Sequence, residues 1–217
     1  MAYIELKQVS YKYEGRSRPA VDDVTIHLGR SEKVALTGLN GSGKSTLARL
    51  ILGLLKPQSG TVLLDGLPIG SYTLSETGNR LGYILQNPGQ MLFNATVYNE
   101  IAFGLRWKGL RKDKLHQLCK RELDRFGLWG LKDRMPLSLS EGQKQLVAIC
   151  AVMALQPVFL ILDEPAKSID TYRKKMLTEL LNEINRKGTG ILIISHDRLM
   201  VRDLGAREIK IDKGGIA

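Results

Sequence analysis

Short apolar runs recur along the chain at residues 34–37, 61–64, 81–85, 158–162 and 191–194. Several lack polar alternation, as strands buried on both faces of a sheet do. Helical periodicity lies between them. Leu47, Leu50, Ile51 and Leu54 mark one helix, which Pro57 predicts to end near Lys56, because proline disfavours α geometry in the residue before it. Leu115, Leu118, Leu123 and Phe126 mark a second, and Val97, Ile101 and Leu105 form a stripe at helical spacing. Strands alternating with helices predict an α/β fold with a largely parallel sheet. The stretch from about Thr96 to Asp133 has no strand pattern of its own and is expected to stand beside the sheet as a lobe. No repeat with a period of twenty to fifty residues and no Gly/Ser- or Pro-rich linker divides the chain, so any lobes are interleaved.

Composition narrows the class. With 217 residues, 43% hydrophobic and 25% charged, the chain can bury a sizeable core. The N-terminus lacks a basic start followed by an apolar run, and no stretch reaches the roughly 18 apolar residues of a membrane span. This reads as a cytosolic chain that touches a membrane only through others. Cys119 and Cys150 are far apart without nearby partners, so neither a disulfide framework nor a zinc site is indicated. A net charge of +10 raises nucleic acid, anionic lipid or a polyphosphate as ligand. The densest basic cluster, RWKGLRKDK at residues 106–114, reads as a solvated turn leading into a helix; its alternative is a face towards lipid head groups or an acidic partner.

Candidate chemistry begins at residues 34–51, VALTGLNGSGKSTLARLI. Gly38 to Ser45 fits G-x-x-x-x-G-K-[ST], and the strand before it and the helix after it are the context the motif requires. Glycines let successive backbone N–H groups turn inward around phosphate oxygens, and a helix N-terminus adds its partial positive charge. Gly38, Asn40, Gly41, Ser42, Gly43, Lys44, Ser45 and Thr46 are therefore the candidate nucleotide cradle. Lys44 would reach the β- and γ-phosphates, and the Ser45 hydroxyl would ligate Mg²⁺. VFLILDEP ends an apolar strand on Asp163 and Glu164, at the carboxyl edge where open α/β sheets bind ligands. One carboxylate is needed for Mg²⁺ and a second can orient and deprotonate an attacking water. Asp163 is assigned to the metal and Glu164 to the water.

Three further pieces carry a resemblance. LSEGQ, residues 139–143, lies ahead of LDEP and is similar to the L-S-G-G-Q signature of ATP-binding cassette (ABC) ATPases. IISHD supplies His196 where that family has its switch histidine, and YILQNP supplies Gln86. Over essentially its whole length the chain resembles an ABC ATPase. The resemblance implies a P-loop NTPase fold with a mainly parallel core sheet, an antiparallel β-subdomain and a helical subdomain. It implies one domain in which about residues 1–88 and 156–217 form the RecA-like core with the β-subdomain, and about 89–155 the helical subdomain.

The resemblance also implies roles. Tyr13 matches the aromatic on which adenine stacks, with Tyr11 as competitor. Gln86 would join the two lobes and reach nucleotide and metal, His196 would contact the γ-phosphate and act with Glu164 and Lys44 in catalysis, and Asp170 matches the aspartate of a loop that crosses to a partner. Two cassettes would pair head to tail, so that Ser140, Gly142 and Gln143 of one close over ATP and Mg²⁺ on the other, and hydrolysis would open the pair and move membrane subunits. Residues 86–104 are similar to the Q-N-P-x-x-Q-[LM]-F-x-x-T-V-x-x-[ED]-[IV]-A-F-G run of ATPases driving energy-coupling factor (ECF) importers of vitamins and transition-metal ions. The implied partners are a second ABC ATPase and an integral membrane coupling protein, at the cytoplasmic face of the membrane. Another ABC importer or exporter is the alternative; a soluble nucleic-acid- or ribosome-associated ABC protein has only the net charge in its favour, and no direct nucleic-acid partner is expected.

Several positions depart from the family pattern. Glu141 stands where glycine is usual; SEGQ also fits a capping box, with Ser140 as N-cap and Gln143 as the third helical residue. Leu146 replaces a habitual arginine, and Lys167 with Ser168 replaces small residues before Asp170. These departures predict pairing with an unlike ATPase and two composite sites of unequal rate. ECF ATPases commonly continue beyond a strand and turn like REIKIDKGG, so a chain ending at Ala217 reads as a minimal form, a fragment or half of a tandem.

Overall fold

The computed structural model describes residues 2–167 and 169–217. Ser168, one of the departures noted above, lies outside the described residues. In chain order the elements are β1 (Ala2–Tyr11), β2 (Val21–Gly29), β3 (Lys33–Thr37), α1 (Lys44–Ile51), β4 (Ser59–Leu64), β5 (Leu67–Pro68), α2 (Leu74–Arg80), β6 (Leu81–Ile84) and α3 (Val97–Trp107). They continue with α4 (Lys112–Arg125), α5 (Glu141–Ala154), β7 (Phe159–Asp163), α6 (Thr171–Arg186), β8 (Gly190–Ile194), α7 (Arg198–Leu204), β9 (Arg207–Asp212) and β10 (Gly215–Ile216).

Two sheets carry the fold. The larger has the order β10-β9-β3-β8-β7-β6 and is parallel except for the β9–β10 hairpin. Its central strands alternate between two hydrophobic layers, as a strand covered on both faces must. Val34, Leu36, Phe159, Ile161, Leu192 and Ile194 join the layer containing α1. Ala35, Leu160, Leu162, Ile191 and Ile193 join the layer containing α3, α4 and α5. The smaller sheet, β2-β1-β4-β5, is antiparallel and closes over α1. The run at 61–64 belongs to this sheet as β4. The long strands β1 and β2 are absent from the apolar runs because one face is exposed; in β2 the buried residues Val24, Ile26 and Leu28 alternate with polar ones, a period-two signal.

The first predicted helix ends earlier than Lys56. Gly53 takes a left-handed conformation (φ +69°), its N–H donates to Leu50 O, and Leu54 N–H returns to Arg49 O at 2.9 Å. A glycine stop of this kind satisfies the last carbonyls and ends the helix before Pro57 can act. Leu54 is consequently off the helix and exposed. The basic run at 106–114 spans the end of α3, a turn and the start of α4, and is exposed apart from a half-buried Leu110. Both cysteine thiols are buried, and burial pushes the Cys119 thiol up to about 11 and Cys150 further.

Candidate functional site

The phosphate loop leaves β3 after Thr37 and enters α1 at Lys44. Two of its glycines are required by close approach and by backbone hand. Gly38 (φ +139°) and Gly43 (φ +108°) are left-handed, and a Cβ would collide with the carbonyl oxygens of Ile211 and Ala20 respectively. Gly214 N–H donates to Ser42 O at 3.0 Å and pins the loop from outside. The first turn of α1 contains no acid and no side-chain cap, so its N–H groups and dipole are available to an anion. Lys44 is 6% exposed, and its Nζ donates to Gly38 O and Leu39 O at 2.8 Å each. Burial lowers the pKa of its ammonium, against the opposing pull of Glu164 and Asp163.

The acids arrive from β7. Asp163 is the last strand residue, is buried, and lies 3.5 Å from the Tyr83 hydroxyl. Burial and the nearby Asp163 carboxylate push that phenol up to about 12. At Glu164 the backbone turns left-handed (φ +48°), and its N–H donates to Ile194 O at 2.9 Å. His196 Nε2 stands 3.0 Å from Asn40 Oδ1 and 3.1 Å from Glu164 Oε1. The ring nitrogen is aligned on Asn40, so among the described residues Glu164 Oε1 is buried without a hydrogen-bond partner. Burial pushes the Glu164 carboxyl above its ordinary value, opposed by His196 and Lys44.

These groups line one cleft of about 820 Å³, whose walls include Tyr13, Asn40, Gly41, Gly43, Lys44, Ser45, Thr46, Gln86, Asp163, Glu164 and His196. Gln86 also borders a second cleft with Glu141 and Gln145. Gly38 and Ser42 do not line this cleft; Gly38 borders a separate one with Leu39 and His196. Tyr13 lines the cleft, its hydroxyl 3.3 Å from Thr46 Oγ1, while Tyr11 meets it edge-on from behind at 4.9 Å. Ser140, Gly142 and Gln143 do not line this cleft. Ser140 and Gln143 form a reciprocal capping box on α5, and Asp170 caps α6 through Arg173 N–H at 2.9 Å. The structure also brings in groups the motifs did not nominate: Arg16, Arg18, Lys174 and Asp197. The arginines were legible as cations just after Tyr13; Lys174 left no signal, because it reaches the cleft only by the folding of α6 against β8.

The family model for ABC transporters matches residues 21–167. The energy-coupling factor transporter ATP-binding protein EcfA1 of Mycoplasmopsis pulmonis is 38% identical over 89% of the chain and 74% of its own length. The structure of CbiO1 from Clostridium perfringens, described as part of the ABC transporter complex CbiONQ, superposes with a TM-score of 0.91 at 32% identity, covering 100% of this chain and 87% of that one. The dimeric structure of the bacterial ABC transporter cassette MJ0796 gives 0.89 at 25% identity, over 98% and 96%. The glycine loop, the acid pair and His196 share one cleft of this fold, and the chain belongs to the ABC transporter family. It is an ABC ATPase fold, with a mainly parallel sheet, an antiparallel β-sheet unit and a helical unit. The chain spans 29%, 44% and 37% of the length of three other relatives named as ABC transporter ATP-binding proteins, from Bifidobacterium longum, Methanosarcina mazei and Enterococcus faecalis. Among the described residues no helix is long and apolar enough to cross a membrane.

Proposed function

We propose that this chain is the ATP-binding and ATP-hydrolysing subunit of an ECF-type importer of a vitamin or transition-metal ion, held at the cytoplasmic face of the membrane by an integral coupling protein. The observation that carries the ATPase reading is the buried, unpaired Glu164 Oε1 beside His196 and Asn40, facing the phosphate loop across one cleft. The ECF reading is supported by residues 86–104 and by the likeness to EcfA1 and CbiO1.

The residues fit a magnesium triphosphate. Gly38 and Gly43 hold the loop in a backbone path closed to side chains, Lys44 brings a buried cation, and Asp163 and Ser45 share the cleft wall. Ser45, Asp163 and Gln86 would hold Mg²⁺, which would supply positive charge to the phosphate oxygens. Tyr13 stacks the base, and loop N–H groups with Lys44 hold the β- and γ-phosphates. Glu164, its carboxyl raised by burial, orients the attacking water and takes its proton; the Nε2–H of His196, which donates to Asn40 Oδ1 in this structure, exchanges that acceptor for a γ-phosphate oxygen. Water exclusion is incomplete in one chain, since Ser140, Gly142 and Gln143 lie outside the cleft. A second ATPase supplies the corresponding residues from its own signature, and Asp170 crosses to it. Glu141, Leu146 and Lys167 favour an unlike partner.

Affinity purification of the chain from its native membrane, with identification of copurifying integral proteins, tests the assignment. An ECF-type coupling protein and a second ATPase are expected. Copurification of a different class of permease would move the chain to another ABC importer or exporter.

A further inference from the structure

Lys174 belongs to no motif in the sequence, yet it lines the nucleotide cleft with Asn40, Glu164 and His196. It stands one turn into α6, and its Nζ donates to Asp197 Oδ2 at 2.8 Å. The two side chains are 34% and 23% exposed, so the pair sits in the cleft wall rather than on open surface. The other oxygen of Asp197 is committed elsewhere: Oδ1 accepts the N–H groups of Leu199 and Met200 at 3.1 Å each and caps α7. Asp197 N–H donates to Ser195 Oγ at 3.0 Å, and Ser195 N–H donates to Leu36 O at 3.3 Å, which ties the loop to β3. His196 therefore stands between two pinned neighbours, and one of the two pins reaches across to α6.

We propose that Lys174 is a positioning residue for ATP hydrolysis, holding the Asp197 carboxylate and thereby the backbone that sets His196 3.0 Å from Asn40 Oδ1 and 3.1 Å from Glu164 Oε1. This inference rests on the ATPase reading above and deepens it. The ion pair and the helix cap use different oxygens of Asp197, so the two roles can be separated. Asp170 is the N-cap of the same helix, so the Lys174–Asp197 pair links the start of α6 to the residue beside His196, while Asn182 and the apolar contacts with α7 tie the helix further along.

The variants K174M and D197N separate pair from cap, since asparagine caps a helix about as well as aspartate. ATP turnover is measured in the complex isolated with its partners. Each variant lowers kcat about tenfold or more with KM for ATP within about twofold, because a misplacement of about 1 Å at a reacting group suffices for such a loss. K174R restores most of the rate, and the double variant is no worse than either single one, as expected of a coupled pair. The imidazole ¹H–¹⁵N signals give a readout independent of turnover. Of the three histidines, His196 shifts in K174M while His27 and His116 do not. Unchanged kcat in both variants, with E164Q inactive, overturns the proposal, and so does an unmoved His196 signal. A wild-type complex that fails to hydrolyse ATP overturns the ATPase reading instead, and the His196 signal still decides what Lys174 does.

Discussion

Glu164 Oε1 lies 3.1 Å from Nε2 of His196, yet the imidazole is aligned on Asn40, and among the described residues that buried oxygen accepts no hydrogen bond. A carboxylate held this way is a stronger base than one in water, because burial disfavours its charge. Glu164→Gln keeps the shape but replaces one acceptor oxygen with an NH₂ donor and removes the base. It is expected to retain ATP binding while losing most turnover, measured by nucleotide affinity and phosphate release; wild-type turnover in the variant would place the base elsewhere.

The raised carboxyl of Glu164 has two pH consequences. The acid limb of the turnover profile should lie above the ordinary glutamate range. For stability, the native state holds this proton more tightly than the unfolded chain, so stability falls as pH rises through the folded-state value. Glu164→Gln lacks this loss. Thermal melts of both proteins across a pH series should show the variant gaining on the wild type as pH rises towards neutrality.

Lys44 makes two hydrogen bonds to the loop carbonyls of Gly38 and Leu39 at 2.8 Å each, so it shapes the loop, and under the proposed function it also brings charge to phosphate. Hydrogen bonds to charged groups are worth about 1.5–3 kcal/mol each. Lys44→Ala should weaken ATP binding by at least about tenfold and reduce turnover as well, in equilibrium titration and steady-state assays.

Gly43→Ala places a Cβ against the Ala20 carbonyl in a left-handed backbone. The conformational strain alone is about 1–2 kcal/mol, and the collision adds to it. Thermal denaturation should show a clear loss, and nucleotide binding should fall with it. A fully stable, nucleotide-binding variant would mean the loop can adopt another path.

Glu141 begins α5, is 54% exposed at the side chain and pairs with Lys144 at 2.9 Å. Its carboxylate favours the helix dipole but opposes a phosphate brought to the same helix tip. Glu141→Gly should tighten ATP-dependent pairing or speed turnover, read by size-exclusion chromatography in the Glu164→Gln background and by phosphate release. Unchanged values in both would remove this residue as a cause of asymmetry.

The phosphate loop and the acid pair were legible because their chemistry is local: a strand, a run of glycines and a helix start lie within residues 34–51, and two adjacent acids end one strand. The capping box on α5 was legible for the same reason, since Ser140 and Gln143 meet within one turn. The helix stop at Gly53 was present in the sequence but lost to Pro57, because a proline reads as a stop whether or not a glycine has already acted. Long-range facts were not legible. The strand order β10-β9-β3-β8-β7-β6 depends on which apolar faces bury one another, and many pairings satisfy the same pattern.

By itself the sequence determined where a strand, a glycine loop and a helix start follow one another and where two acids end a strand, because spacing within a turn or strand fixes local geometry. Tertiary structure alone decided that Asn40 steadies His196, that Glu164 keeps an unpaired buried oxygen, that Tyr13 rather than Tyr11 faces the cleft, and that Lys174 reaches Asp197. Those relations join residues brought together by the burial of two hydrophobic layers around one sheet, and that burial is a property of the whole chain rather than of any motif.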